Sequence, residues 1–158
     1  MDLVIRPAVP ADARGIAANN RATALETEGW EIGQGTALAG VLAVLEQPGR
    51  GFYLVADEDG EVVGQCMVTF EWSDWRNGEF WWVQSVYTRP SHRRRGIFAR
   101  IYRAVEAMAR DSPGVVGLRL YVEVGNEAAR AAYRRLGMRP APYLLLERDY
   151  AREQEGRA

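Results

Sequence analysis

Lysine is absent from the 158-residue chain, and cysteine and histidine each occur once, as Cys66 and His92. Without lysine there is no Walker-type phosphate-binding residue, which argues against a P-loop nucleotide enzyme. One cysteine cannot close an internal disulfide, and one cysteine with one histidine cannot build a zinc site, so no metal is expected. Both scarcities fit a reducing, cytoplasmic setting. Long apolar runs are missing too. Ala37–Leu45 is far too short to cross a bilayer, and the N-terminal MDLVIRPAVPADAR lacks the basic-then-apolar order of a signal peptide, so no membrane partner is expected. What is present, 47% apolar and 26% charged residues, suffices for one packed core. The expected organisation is a single domain over residues 1–150 and a charged, frayed tail over 151–158.

Charge is spread unevenly. Residues 1–80 carry 5 Arg against 13 acidic residues, whereas residues 81–158 carry 15 Arg against 8. A net charge of −1 argues against a nucleic-acid binder, while the basic half points to a local anionic ligand and the acidic half to a cation.

The periodicities alternate along the chain. Leu3–Arg6 reads as a strand, 11–28 as a weakly amphipathic helix, and 36–46 as a second helix with Thr36 as its N-cap. Phe52–Ala56 and Val62–Phe70 flank the turn Asp57-Glu58-Asp59-Gly60, and Asn77-Gly78 opens the strand Glu79–Thr88. Both faces of that last strand are apolar, which predicts a central strand. Ile97, Ile101, Val105 and Met108 define the clearest helix, over 97–110. A strand at Val115–Val122, a helix capped by Asn126 and ended by Gly137, and a strand at Tyr143–Glu147 complete the order. The fold class is α/β (α+β), a mixed central sheet with helices on both faces.

The most informative stretch is the strand Glu79–Thr88, then Arg89-Pro90-Ser91-His92-Arg93-Arg94-Arg95-Gly96, then a helix. Open amides and positive potential at a helix N-terminus, beside an Arg-rich turn with a glycine, make a cradle for pyrophosphate; a solvated basic cap is the plain alternative. Downstream, Asn126 precedes a helix ending in Tyr133-Arg134-Arg135-Leu136-Gly137-Met138. The R-x-x-G-x-[G/A]-like turn at Arg93–Phe98 and the Y-x-x-x-G-[F/M] motif at Tyr133–Met138, in this order, resemble the GNAT superfamily of acyl-CoA-dependent N-acyltransferases, in its small bacterial-type form. The motifs cover residues 80–138. Phe98 departs from the pattern, but a side chain there is tolerable if it packs back on Ile101 and Tyr102.

The resemblance implies a GNAT fold with a splayed strand pair and acetyl-CoA as cosubstrate. It implies cofactor binding by Val86, Tyr87 and Thr88 at the thioester end and by Arg93, Arg94, Arg95, Gly96, Ile97, Phe98 and Ala99 at the pyrophosphate. Asn126 either touches the pantetheine or simply caps its helix. Tyr133 takes the place of the general acid, although its position on the Ala129-Ala132-Leu136 stripe also suits core packing. A backbone N–H near Val86 or Tyr87 would hold the oxyanion. Glu79, Glu123 and Glu71 are candidate bases, each equally at home as a solvated carboxylate. Glu71, Trp72 and Trp75, in an aromatic-rich stretch, would bind a cationic amine unless these aromatics are ordinary cross-strand packing. The expected function is therefore transfer of an acetyl group to a primary amine of a small molecule or peptide, with no nucleic acid involved. The alternatives are a non-catalytic acyl-CoA-binding protein of the same fold, and a protein-binding module built on the Trp cluster. A homodimer is left open.

Overall fold

The computed structural model describes residues 2–155. One sheet holds five strands in the order β1-β2-β3-β4-β5. They are β1 (Val4–Pro7), β2 (Gly51–Glu58), β3 (Glu61–Ser73), β4 (Gly78–Thr88) and β5 (Val115–Arg119). The first four are antiparallel neighbours, and β5 runs parallel to β4. Helices α1 (Ala13–Glu28) and α2 (Gln34–Glu46) join β1 to β2, and α3 (Ile97–Asp111) is the crossover that a parallel neighbour requires. The mixed α/β class read from the sequence is the observed one.

The hairpins form where the turn chemistry places them. Asp59 and Gly60 have φ of 55° and 85°, and Asp57 Oδ1 accepts from the Gly60 amide at 2.7 Å. Asn77, with φ of 45°, makes the second reversal. Alternation along β2 then divides the core. Leu54 and Ala56 face α3, packing with Ile97, Ile101, Val105 and Ala109. Tyr53 and Val55 face α1 and α2, packing with Ile16, Ala17 and Val41. On α3 the buried stripe includes Tyr102, while Met108, expected on it, is exposed. Helix α2 begins two residues before Thr36, because extended Gly33 supplies the carbonyl that the Ala37 amide reaches at 3.0 Å.

Gly64 sets how closely α3 approaches the sheet. A Cβ at this position would lie 2.9 Å from Ile97 Cγ2 and 3.4 Å from Ile101 Cδ1, so only glycine lets the first turn of α3 settle there. Gly64 pairs with Thr88 across β3 and β4. The same contact therefore brings the start of α3 to the end of β4.

Among the described residues, 2–121 form one compact unit and 122–155 a second. The second unit contains α4 (Glu127–Arg135) and α5 (Tyr150–Glu155). Asn126 Oδ1 caps α4 through the Ala129 amide at 3.1 Å, and Gly137, at φ 90°, follows its end. Asp149 Oδ1 accepts from the amides of Ala151 and Arg152, starting α5 inside the segment read as a frayed tail. Residues 156–158 of that tail lie outside the described residues. The strand expected at Tyr143–Glu147 is not formed: Tyr143, Leu144, Leu145 and Leu146 are exposed, and no described residue pairs with them in a ladder. An apolar run becomes a strand only where an edge receives it.

Candidate functional site

The site begins where β4 loses a neighbour. β5 accompanies β4 only from Glu79 to Trp82; from Val83 to Thr88, β4 pairs with β3 alone among the described residues. This is the splayed pair. In the same stretch the β3–β4 register jumps, since Gln65 pairs with Tyr87 but Met67 pairs with Gln84. Ser85 and Val86 thus oppose the single residue Cys66, a bulge, and Ser85 adopts φ of 49° without being glycine. Such a conformation costs about 1–3 kcal/mol and persists only when its surroundings hold it. The bulge takes Val86 out of the regular ladder, within the stretch that β5 no longer accompanies. Val86 and Thr88 are half-buried and Tyr87 is buried.

The Arg-rich turn follows directly. A 3₁₀ turn, Pro90–His92, leads to Arg94 and Gly96 at φ of 64° and 72°, and Gly96 is the N-cap of α3. A Cβ at Gly96 would meet nothing within 4 Å, so its left-handed backbone, not crowding, calls for glycine. The first-turn amides of α3, through Ile97, Phe98 and Ala99, have no acceptor within the helix and face an anion with the dipole's positive end. The Phe98 ring packs 6.2 Å from that of Tyr102, the outcome anticipated for the departure from the motif.

The three arginines of the turn behave differently from one another. Arg93 clamps the turn to its neighbours: Nε donates to Thr88 O at 3.0 Å, Nη2 reaches Glu26 at 2.7 Å, and the guanidinium sits 5.7 Å over the Tyr87 ring. Arg95 pairs with Glu58 at 2.6 Å, and the other Glu58 oxygen meets His92 Nε2 at 2.8 Å. Arg95 first and His92 second hold the Glu58 carboxyl below its usual range. Only Arg94 is exposed and without an ion pair among the described residues. The turn therefore presents one open guanidinium and a set of helix amides, beside two arginines balanced by acids. The Tyr87 phenol is pushed up by burial first and by the negative charge of Glu26 second.

Other expected residues occupy the far end of β4. Val86 and the hairpin at Gly78 are eight residues apart, roughly 26 Å along the strand. There Glu79 pairs with Trp72, and its carboxylate accepts from Trp81 Nε1 at 3.2 Å. Glu71 is ion-paired with Arg119, whose guanidinium lies 3.7 Å over the Phe80 ring. Phe52, Phe70 and Trp81 cluster at 5.2 to 6.2 Å, so cross-strand packing accounts for most of the aromatic stretch. Trp72 and Trp75 are exposed, 62% and 88%. The structure does not bring Glu71, Trp72, Trp75 or Glu79 to the bulge. It brings Glu26 there, a residue the sequence reading missed along with Glu58 and Ser85.

Glu123, Asn126 and Tyr133 belong to the second unit. Asn126 caps α4, and Tyr133 is half-buried on it, its carbonyl accepting from the Leu136 and Met138 amides. Among the described residues no group of three His, Cys, Asp or Glu side chains could hold a metal ion.

A splayed parallel pair, a bulged central strand and a glycine-capped helix with open amides are the features of the candidate site. The family comparison matches the acetyltransferase (GNAT) family over residues 19–138, and the chain belongs to that family. It is similar to the solved structure of a possible acetyltransferase from Clostridium difficile 630, at 40% identity and TM-score 0.87, covering 93% of this chain and 97% of that one. A predicted acetyltransferase from Clostridium acetobutylicum, solved with acetyl-CoA, shares the fold at 16% identity and TM-score 0.75, covering 92% and 96%. So does an integron cassette protein from the Cole Harbour Salt Marsh metagenome, at 23% identity and TM-score 0.80, covering 92% and 90%. A search of curated proteins found no match. No helix among the described residues is long and apolar enough to cross a membrane.

Proposed function

We propose that this protein transfers an acetyl group from acetyl-CoA to a primary amine. The observation that carries the reading is the juxtaposition of the bulged stretch Val83–Thr88, paired on one side only, with the open N-terminus of α3. A pantetheine arm needs backbone groups to run along, and a pyrophosphate needs amides and positive potential. The amides of Arg94–Ala99 and the Arg94 guanidinium hold the pyrophosphate. Val86, Tyr87 and Thr88 line the thioester arm, and the Val86 amide faces the carbonyl oxygen as charge develops on it. An alkyl amine is only about 0.1% neutral at pH 7, so a carboxylate or water must take its proton before attack. Glu26, ion-paired with the Arg93 that lies over Tyr87, is the acid we assign to that step. Tyr133, by its place in the family motif, protonates the leaving thiolate. The compartment is cytoplasmic.

Two measurements test this. Acetyl-CoA at a hundred times its dissociation constant should add about 2.7 kcal/mol to stability, read as a rise in melting temperature. Release of CoA thiol over a panel of amines then separates turnover from binding alone. Tyr133→Phe should lower kcat about 10²-fold with little change in acetyl-CoA affinity. A melt unmoved by millimolar acetyl-CoA overturns the assignment.

A further inference from the structure

One constellation in the turn before α3 goes beyond what holding a cofactor asks of it. The Ser91 hydroxyl lies 2.8 Å from His92 Nδ1, and His92 Nε2 lies 2.8 Å from Glu58 Oε2. Hydroxyl, imidazole and carboxylate stand in sequence: a nucleophile, a base, and the group that orients the base. The fold assembles them, because Glu58 ends β2 and lies 34 residues from His92.

The proton positions follow from the partners. Arg95 Nη2 bonds the other Glu58 oxygen at 2.6 Å, and Arg95 with His92 keeps that group a carboxylate, which only accepts. The neutral imidazole therefore carries its hydrogen on Nε2, toward Glu58, and the Ser91 hydroxyl donates to the lone pair on Nδ1. This is the tautomer a general base needs. Nδ1 can take the Ser91 proton, and the imidazolium so formed faces a carboxylate. Access is graded in the same order. Ser91 is exposed, whereas the side chains of His92 and Glu58 are 17% and 10% exposed, so a donor reaches the hydroxyl while its two supports are screened from water. Composition removes the usual competitors: the chain has no lysine, and its one cysteine, Cys66, is fully buried.

We propose that Ser91 is a nucleophile activated by His92 and Glu58, and that the chain acylates itself there from an activated acyl ester or thioester. Ser91 Oγ attacks the acyl carbonyl and forms an O–C bond. The bond from that carbon to the leaving oxygen or sulfur breaks, and the hydroxyl proton passes to His92 Nδ1 and on to the leaving group. The product is an ester on the Arg-rich turn. This inference goes beyond the acetyl-transfer reading and does not rest on it, since an ester donor needs no coenzyme A site.

The test is exposure of the intact protein to 4-nitrophenyl acetate and, separately, to acetyl-CoA, followed by mass spectrometry of the whole chain and its peptides. Wild type should gain one acetyl group on Ser91, about 10²-fold faster than any other serine or threonine in the same sample. Ser91→Ala should lose that label. His92→Gln should slow labelling of Ser91 about 10²-fold, to the level of the other hydroxyls, and Glu58→Gln should slow it at least about tenfold. A turn in which Ser91 and His92 merely cap one another gives Ser91 no such advantage. Labelling by the ester alone supports the proposal with esters as donors, and labelling in both arms extends it to thioesters. No acetyl on Ser91 in either arm, acetyl on His92 in its place, or a Ser91 rate that His92→Gln leaves unchanged overturns it. A wild type that is labelled by the ester while its melting temperature ignores acetyl-CoA keeps this proposal and sinks the acetyl-transfer reading.

Discussion

The two ends of β4 are built on opposite terms. From Glu79 to Trp82 the strand is paired on both sides, its aromatics stacked or capped by arginine. From Val83 to Thr88 it is paired on one side, bulged, strained at Ser85 and fronted by a cationic turn. One end spends its backbone on the ladder and its side chains on the core. The other leaves backbone groups available, and the proposed cofactor site lies there. The comparison shows how a single strand anchors a fold and presents a reactive edge, the two roles separated by roughly 26 Å of chain.

Substitutions at each end should separate those roles. The largest effect belongs to the anchored end: Trp81 is 6% exposed within the core, and Trp81→Ala should cost about 3–5 kcal/mol by urea unfolding. The dissociation constant for acetyl-CoA, measured on the folded protein, should stay the same. Gly96→Glu should do the reverse, abolishing the roughly 2.7 kcal/mol stabilisation by acetyl-CoA. It sets a negative side chain at a left-handed position facing the phosphates, and titration calorimetry would show it; retained affinity would move the cofactor elsewhere.

Acid should attack the turn end. Arg6 holds Asp12 below the carboxylate range through two hydrogen bonds of 2.7 and 2.9 Å, while Arg95 and His92 do so for Glu58. A carboxyl depressed in the folded state contributes stability above its unfolded pKa and loses it as pH falls through the folded value. Urea midpoints should therefore hold above about pH 5 and decline from about pH 4 downward. Asp12→Asn should flatten part of that decline and cost about 1–3 kcal/mol at neutral pH. A pH profile identical to wild type would remove Asp12 from the acid response.

The smallest effect is expected at Trp75, exposed at the hairpin tip. Trp75→Ala should change stability by less than about 0.5 kcal/mol and leave the acceptor KM unaltered. A several-fold rise in that constant would bring the acceptor to the anchored end and erase the contrast.

Much of this architecture is legible in local sequence. Asp-Glu-Asp-Gly and Asn-Gly announce the hairpins, the Ile97 stripe announces α3, and Gly96 marks the cap because the left-handed backbone requires it. The bulge is not legible, since Ser85 bears no glycine or asparagine signal for its positive φ, and apolar alternation along Glu79–Thr88 reads straight through it. Nor are the partners of the turn. Glu58 and Glu26 lie 37 and 67 residues from the arginines they pair with, and only the folded chain brings them together. Tyr143–Glu147 errs in the opposite sense: its composition suits a strand, but a ladder is a property of two segments.

Cys66, opposite the bulge, gives the molecule its own reporter. The thiol is fully buried and pushed up to about 12. At pH 8 only about one part in 10⁴ would be thiolate, so alkylating reagents meet an unreactive group until β3 and β4 part. In a chain with no second cysteine, the labelling rate under native conditions counts openings of that one seam, a clock for how often the reactive edge comes loose from its anchor.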